Sequence, residues 1–252
     1  MSSPHLKAVI FDIGGVVCRS PLIAIAKYER ENNIPNNYIN CSITRRGPQG
    51  AWQKFERGEM SLFAFYEVFG RELSETSVGN LFGRMMREGA VYDELVVEAI
   101  HRIRGVSQLA ILDPSVSTKR TYSATERWRV IALTNNFSKT DLAVLGHGEP
   151  LPARYASLNV NRELEWLGWK DGAVPPQLRA LFDDFCDSSE LGMRKPEPEI
   201  YLIACKRNDI EPREAVFLDD LGMNLKAARA LGMETIRKYT RIPRFSPLSP
   251  IA

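Results

Sequence analysis

The sequence is poor in the residues that cross-link small folds or bind soft metals. Its four cysteines are scattered without a CxxC pair, and it has three histidines. We therefore expect neither a disulfide framework nor a structural zinc site. The 33 Lys and Arg residues nearly balance the 31 Asp and Glu residues, leaving a net charge of +2. That balance gives no support for a nucleic-acid or anionic-membrane partner.

Long apolar segments are also missing. No uninterrupted apolar run approaches the roughly 18 residues that a membrane span needs. The first apolar segment, 8–11, is interrupted by Asp12, so it is shorter than a secretory apolar region of about 7–15 residues. With no cysteine framework, this predicts a reduced, cytoplasmic protein. The composition, 44% hydrophobic and 25% charged among 252 residues, is that of an ordinary globular chain of one or two domains.

Short apolar segments alternate with helix-like segments, which predicts an α/β architecture. The predicted strands are 7–11, 129–133, 214–218 and 233–237. Continuous apolar strands are typical of a parallel sheet covered on both faces, and such sheets bind ligands beyond the carboxyl ends of their strands. Because three of these strands end in carboxylate, hydroxyl or amide side chains, we expect a site there.

Residues 20–100 differ from the rest of the chain. They are mostly helical in pattern, rich in Phe and Tyr, and contain no convincing strand. In segment 60–73, Ser61 is suited to cap a helix with a broad apolar face. This predicts a helical insertion after the first strand that forms a second, smaller domain over the strand ends.

The predicted boundaries are a core of 1–18 and 101–240 and a helical cap of 19–100. Within segment 105–127, residues 109–112 could form a strand, but residues 113–125 are polar and rich in Ser and Thr. A loop of that length is uncommon in a compact domain, so we interpret 105–127 as an atypical insertion. Residues 241–252 contain three prolines and are interpreted as a tail.

Three candidate residues or pairs follow the first two strands or lie in a loop. Asp12 is either a turn residue before Gly14 or a carboxylate nucleophile at a strand end. Thr134 and Asn135 either help to begin the next helix or bind phosphoryl oxygens. Lys195, before a proline, is either a solvated loop lysine or a cation that neutralises a transferring phosphate.

The pair Asp219 and Asp220 ends the third predicted strand. Adjacent carboxylates repel each other, so a buried pair suggests a bound cation, and oxygen ligands favour Mg²⁺. The alternative is one capping and one exposed aspartate. Asn224 lies one turn further on, close enough to face the same pocket.

The order of these segments resembles the four motifs of the haloacid dehalogenase-like hydrolase superfamily. Residues 192–201 and 218–226 are most similar to its epoxide-hydrolase N-terminal phosphatase-like branch and to the related domain of certain acyl-CoA dehydrogenases. The resemblance implies a Rossmann-like parallel-sheet core with a small helical cap inserted after the first strand. The matching segments are Asp12 within 9–17, Leu133-Thr134-Asn135, Lys195-Pro196, and 217–220 with Asn224.

The resemblance also implies a mechanism. Asp12 would attack phosphorus and form an aspartyl-phosphate that water hydrolyses. Thr134 and Asn135 would hold the phosphoryl oxygens, and Lys195 would offset their charge. Mg²⁺ would be bound by Asp12, the Gly14 carbonyl, Asp219 and, directly or through those ligands, Asp220.

Gly14 departs from the family pattern. Family phosphatases usually have a second aspartate there that acts as general acid and base, and losing such a group typically removes about 10²–10⁴-fold in rate. Either the substrate has a good leaving group, such as a sugar-1-phosphate or acyl phosphate, or a water or Glu56 or Glu59 substitutes, or activity is weak or absent. Some phosphatases that resemble this branch also carry glycine here.

The leading hypothesis is a Mg²⁺-dependent phosphatase of a small phosphorylated metabolite. Alternatives are a 2-haloacid dehalogenase, a catalytically silent binding protein and an isoprenyl-diphosphate hydrolase. The sequence does not indicate an oligomeric state. Candidate substrate-facing residues of the cap, which could equally be solvated or structural, are Arg45, Arg46, Trp52 and Arg57.

Overall fold

A computed structural model describes most of the chain. The predicted insertion, apart from Gly105, and the predicted tail lie outside the described residues. These are residues 6–74, 78–105, 128–137, 153, 159–169 and 172–239.

A five-stranded parallel sheet forms the centre of the molecule. Its strands are β1 (Ala8–Phe11), β2 (Arg129–Thr134), β3 (Asp184–Asp187), β4 (Ala215–Asp219) and β5 (Glu234–Arg237). Their order across the sheet is β3-β2-β1-β4-β5. The strands β1, β2, β4 and β5 confirm the sequence prediction within one residue at each end. The sequence does not predict β3, because an aspartate stands at each end of this four-residue strand and only the two residues between them are apolar.

Helices α1–α6 separate β1 from β2 in the chain. They are α1 (Pro21–Glu31), α2 (Tyr38–Arg46), α3 (Ala51–Glu56), α4 (Leu62–Leu73), α5 (Val78–Gly89) and α6 (Glu94–Ile103). After β2 come α7 (Val160–Leu167), α8 (Pro176–Arg179), α9 (Ser188–Leu191), α10 (Pro198–Arg207) and α11 (Gly222–Ala230). Within the described ranges, no helix combines the length and the apolar character that crossing a membrane requires.

Apolar side chains cover both faces of the sheet, as continuous apolar strands predict. Ile10 of β1 points into one cluster, together with Tyr201 of α10 and Phe217 of β4. Phe11 points to the other face, where Ile100 of α6 packs. This alternation follows from the two-residue period of a strand. Because apolar side chains cover both faces of the sheet, the polar groups lie at the strand ends.

A third cluster, rich in aromatic residues, lies among α1–α5. Phe55, Phe65 and Phe82 are each almost fully buried there, and the first two stack with centroids 4.4 Å apart. Burying such a side chain contributes roughly 1.5–3 kcal/mol relative to leaving it exposed. The Ser61 hydroxyl accepts a hydrogen bond from the Ala64 amide at 3.4 Å, so it caps α4 as the sequence predicts.

Helix α7 follows β2 in the chain but packs with the helices that precede β2. Leu164, Leu167 and Trp169 belong to the aromatic cluster, and the Tyr66 hydroxyl donates to Glu163 at 2.9 Å. The helical layer therefore draws on two separate stretches of sequence. The division into a core and a cap at the boundaries given above stays a prediction.

Candidate active site

Asp12 extends β1 by one residue. Its amide donates to the Leu218 carbonyl at 2.9 Å, which continues the β1–β4 pairing and fixes the backbone. Its Oδ1 atom accepts from the Ile13 amide at 2.7 Å and lies 2.7 Å from the Lys195 Nζ. Among the described residues, Oδ2 has no hydrogen-bond partner, so it is the oxygen that a ligand in the pocket could contact. The role of Asp12 as a nucleophile stays a prediction.

Lys195 is buried with 1% of its surface exposed, and its amine bridges two carboxylates. The Nζ lies 2.7 Å from Asp12 Oδ1 and 2.9 Å from Asp219 Oδ2. Both carboxylates raise the pKa of Lys195 and outweigh the opposing effect of burial. This is not the environment of a solvated loop lysine, because a buried ammonium requires such partners.

Asn135 holds the main chain of Lys195 from both sides. Its Oδ1 accepts from the Lys195 amide at 2.8 Å, and its Nδ2 donates to the Lys195 carbonyl at 3.0 Å. Thr134, buried at the end of β2, directs its hydroxyl to the Asn135 carbonyl at 3.3 Å. The structure thus brings both residues beside Lys195, and their contact with phosphoryl oxygens stays a prediction.

Asp219 ends β4 and is fully buried. Besides Lys195, it accepts from the Leu221 amide at 2.7 Å and from the Asn224 Nδ2 at 3.0 Å. Asn224, in the first turn of α11, therefore faces this pocket as the sequence spacing suggests. These donors hold the carboxylate in one orientation at the strand end.

Asp220 lies over the loop after β1. It accepts from the Ser20 hydroxyl at 3.3 Å, and a Cβ at Gly15 would stand 2.2 Å from its Oδ2. Gly15 also has a φ of +94°, which glycine adopts at little cost. A side chain there would displace Asp220, so this position requires glycine.

Asp12, Asp219 and Asp220 each place a carboxylate oxygen within 4.8 Å of the other two. Burial, with the Asp219 charge adding to it, raises the pKa of Asp12 to about 8, and Lys195 opposes the shift. Burial and the same neighbour raise the pKa of Asp220. When all three carboxylates are ionised, the single ammonium of Lys195 leaves excess negative charge. A buried all-oxygen set of this kind suits a hard divalent cation.

A cavity of about 400 Å³ opens above these strand ends. Asp12, Thr134, Asn135, Lys195 and Asn224 form its polar end. Trp52 lines it, but as part of the aromatic cluster, 5.3 Å from the Phe137 ring. The remaining walls are mostly apolar and include Met85, Met86, Phe137, Leu167, Trp169, Ala173, Pro175 and Leu178.

The structure does not bring the three predicted cap arginines to this cavity. Arg46 donates to the Glu72 carbonyl at 3.2 Å, and Arg45 lies exposed beside it on α2. Arg57 pairs with Glu59 and, at 3.6 Å, with Glu197. The arginines that do line the cavity are Arg19 and Arg87, which no local pattern in the sequence distinguished.

The two glutamates considered as substitute acids differ in position. Glu56 is buried and lines the cavity. Its carboxylate accepts from the Trp52 indole at 2.9 Å and pairs with Arg194, while burial raises its pKa against the effect of Arg194. Glu59 is exposed and paired with Arg57. Of the two, only Glu56 is placed at the cavity.

Sequence reasoning missed the residues that follow β3. Asp187 ends this strand, caps α9 by accepting from the Ser189 amide at 2.9 Å, and accepts from Asn136 at 2.7 Å. Ser188 is fully buried beside it. The spacing of Asp187 and Glu190 is typical of a helix start. This spacing was the signal in the sequence that could have revealed the end of β3.

Comparison with known proteins agrees with this geometry. The family model for haloacid dehalogenase-like hydrolases matches residues 6–232. Mouse acyl-CoA dehydrogenase family member 10 is 30% identical over 234 residues, covering 92% of this chain and 18% of the relative. Rat bifunctional epoxide hydrolase 2 is 48% identical over 237 residues, covering 92% and 36%. This chain thus spans well under half of either relative's length.

A similar fold has been solved in a HAD-family enzyme from Bacteroides thetaiotaomicron, in complex with magnesium and inorganic phosphate. It superimposes with a TM-score of 0.54 at 18% identity, over 92% of this chain and 93% of that one. At this identity the likeness concerns the fold alone. The family model, by contrast, covers β1–β4 and the strand-end carboxylates Asp12, Asp219 and Asp220. The chain belongs to the haloacid dehalogenase-like hydrolases.

Proposed function

We propose that this hydrolase is a Mg²⁺-dependent phosphatase that acts through an aspartyl-phosphate on Asp12. The observation that carries the proposal is the buried cluster in which Lys195 joins Asp12 to Asp219, with an Asp220 carboxylate oxygen within 4.8 Å of an oxygen of each. A nucleophilic carboxylate, a fixed ammonium and a cation site are the groups that phosphoryl transfer requires.

The chain's own residues account for most of the reaction. The ionised form of Asp12 attacks phosphorus through Oδ2 while the P–O bond to the alcohol breaks, and the departing alkoxide takes its proton from solvent. Lys195 offsets the charge on the phosphoryl oxygens. Thr134 and Asn135 bind those oxygens at the polar end of the cavity. Water then attacks the aspartyl-phosphate, gives up a proton to solvent and releases inorganic phosphate, which regenerates the carboxylate.

Magnesium would be held by Asp12, Asp219, Asp220 and the carbonyl of Gly14. When bound, it would neutralise phosphoryl charge that Lys195 alone does not offset. The all-oxygen donor set here supports this assignment. A wild-type HAD-family enzyme of the same fold was crystallised with magnesium, which is consistent with a Mg²⁺ site in this fold. A cytoplasmic location would supply Mg²⁺ and stays a prediction.

Two features narrow the substrate. Gly14 has no side chain to protonate the departing alcohol, which favours an ester with a good leaving group. The cavity beyond the phosphoryl end is walled mostly by apolar side chains, which favours an apolar alcohol. We therefore propose a phosphate ester whose alcohol is largely apolar and leaves readily.

The test is phosphate release from a panel of esters with Mg²⁺, with EDTA and with Asp12→Asn. The panel includes p-nitrophenyl phosphate, sugar-1-phosphates and alkyl phosphates of increasing length. We expect Mg²⁺-dependent turnover that the substitution abolishes, with apolar aryl esters preferred. Turnover that persists in Asp12→Asn would refute the proposed nucleophile.

The same preparation decides among the alternatives. Halide release from a 2-haloacid without Mg²⁺ would identify a dehalogenase, although Asp219 and Asp220 have no role in that metal-free chemistry. Release of diphosphate or phosphate from an isoprenyl diphosphate would identify an isoprenyl-diphosphate hydrolase. Folded protein that turns over none of these substrates would favour the binding role that Gly14 suggests.

A further inference from the structure

Glu56 links the helical layer to the strand ends at two points. Its carboxylate pairs with Arg194, and its main-chain carbonyl accepts from the hydroxyl of Ser188. It lies at the end of α3, whereas Arg194 precedes Lys195 and Ser188 follows β3. Glu56, a residue of the helical layer, thus contacts the loop that carries Lys195 and the start of α9, which follows β3.

Both carboxylate oxygens of Glu56 are occupied. Oε1 accepts from the Trp52 Nε1 at 2.9 Å, and Oε2 is held by the Arg194 Nε. Each oxygen keeps a second lone pair, but the two donors hold the carboxylate against Trp52 and Arg194. The arrangement therefore favours a role in holding other groups over a role as the missing acid.

The contacts of Glu56 close a ring through the phosphoryl-binding residues. Arg194 is bonded to Lys195, whose peptide groups pair with the Asn135 side chain at 2.8 and 3.0 Å. Asn135 is bonded to Asn136, whose amide donates to Ser188 at 2.9 Å. Ser188 then returns to the Glu56 carbonyl. Each neighbour of the Asn135–Lys195 pair is thereby fixed by the same glutamate.

Close packing supports this contact between layers. Gly58, two residues after Glu56, has a φ of +69°, and a Cβ there would stand 2.7 Å from the Ser189 carbonyl oxygen. The loop after α3 therefore rests directly on the backbone after β3. Arg57 adds a longer pair with Glu197, at 3.6 Å, beside the Lys195 loop.

We propose that Glu56 is a positioning residue that aligns Lys195 and Asn135 with the phosphoryl group through Arg194 and Ser188. The inference rests on the proposed function, because it concerns the residues that would bind phosphate. Loss of the Glu56 charge would weaken its pair with Arg194 and loosen the peptide that carries Lys195. The main-chain contact with Ser188 would remain.

The test compares Glu56→Gln with Glu29→Gln. Glu29 is equally buried in the helical layer, but it accepts from the amides of Asn37 and Ile39, away from the strand ends. Inorganic phosphate affinity is measured with Mg²⁺ present, separately from kcat and KM. For Glu56→Gln we expect phosphate affinity and kcat to fall together, by on the order of tenfold to a hundredfold, because small misplacements cost that much. Glu29→Gln should change thermal stability alone.

Variants of Arg194 test the same role if Glu56→Gln folds poorly. Arg194→Lys keeps the charge but loses the guanidinium geometry, and we expect a smaller loss of the same kind. If Glu56 acts through Arg194, the double variant Glu56→Gln/Arg194→Gln should bind phosphate no more weakly than Arg194→Gln alone.

Three results would overturn the positioning role. If folded Glu56→Gln has the phosphate affinity and the kcat of the wild-type protein, the role of Glu56 is only structural. Unchanged phosphate affinity with a burst of alcohol and accumulated aspartyl-phosphate would make it a base instead. If the wild-type protein binds no phosphate, both proposals are overturned. If it binds phosphate but hydrolyses no ester, the proposed function is rejected, and the phosphate affinity of Glu56→Gln still tests the positioning role.

Discussion

At Asp12, burial raises the pKa of the carboxyl group, and the positive charge of Lys195 opposes that shift. Burial raises the pKa of Asp12 from 3.8 to about 8. Between about pH 4 and pH 8 the unfolded chain loses this proton while the folded, metal-free protein keeps it. Stability in EDTA should therefore decrease as pH rises through this range. The carboxylate proposed as the nucleophile is thus a cost to the metal-free fold.

Asp12→Asn should remove this pH dependence. In urea unfolding with EDTA between pH 5 and pH 8, we expect the wild-type protein to lose stability more steeply than the variant. The variant should be the more stable of the two near pH 8, because its amide carries no charge to bury. Asp219 still pairs with Lys195 in the variant. Parallel pH dependences would contradict the raised pKa of Asp12.

Gly14 offers a second test at a single position. A Cβ there would lie 3.4 Å from Pro21 Cδ, an ordinary contact, so Gly14→Asp can be accommodated. If the chain lacks a general acid, we expect kcat/KM for alkyl phosphates to rise by about 10²–10⁴-fold. p-Nitrophenyl phosphate, whose leaving group needs no proton, should gain little. Gly14→Ala is the control, and equal gains for both esters would contradict the argument.

At the scale of elements, the sequence was informative wherever an apolar run ended in a polar group. That rule located β1, β2 and β4 and the carboxylates and amides at their ends. It failed for β3, whose bounding aspartates hide a short apolar core. It also failed for α7, because packing between distant segments leaves no local pattern. For the same reason the sequence pointed to Arg45, Arg46 and Arg57 and did not single out Arg19 and Arg87, which line the cavity.

Helix α7 provides the prediction at this scale. Leu167 is 2% exposed, belongs to the aromatic cluster and lines the cavity. Leu167→Ala should lower the free energy of unfolding by about 2–5 kcal/mol and widen the apolar wall. The preference among alkyl phosphates should then shift towards bulkier alcohols. Leu95→Ala, at a position 77% exposed, is the matched control. An unchanged chain-length preference would place the substrate elsewhere.

For the whole molecule, the decisive property is linkage between folding and metal binding. Asp12, Asp219 and Asp220 come from the ends of β1 and β4, so their proximity exists only in the folded chain. An ion bound there stabilises the fold by RT ln(1 + [Mg²⁺]/Kd), about 2.7 kcal/mol at 100 times Kd. The same ion would also offset the repulsion among these three buried carboxylates.

Thermal unfolding in EDTA and in increasing Mg²⁺ measures this linkage directly. We expect a concentration-dependent rise in Tm for the wild-type protein and a smaller rise for Asp220→Asn, which keeps the Asp219–Lys195 pair intact. Asp184→Asn, at the far end of β3, is the control and should respond as the wild type does, because Asp184 binds Arg207 and Asn208 instead. An equal Mg²⁺ response in Asp220→Asn would mean that Asp220 does not contribute to the site, and no response in any protein would reject the metal assignment.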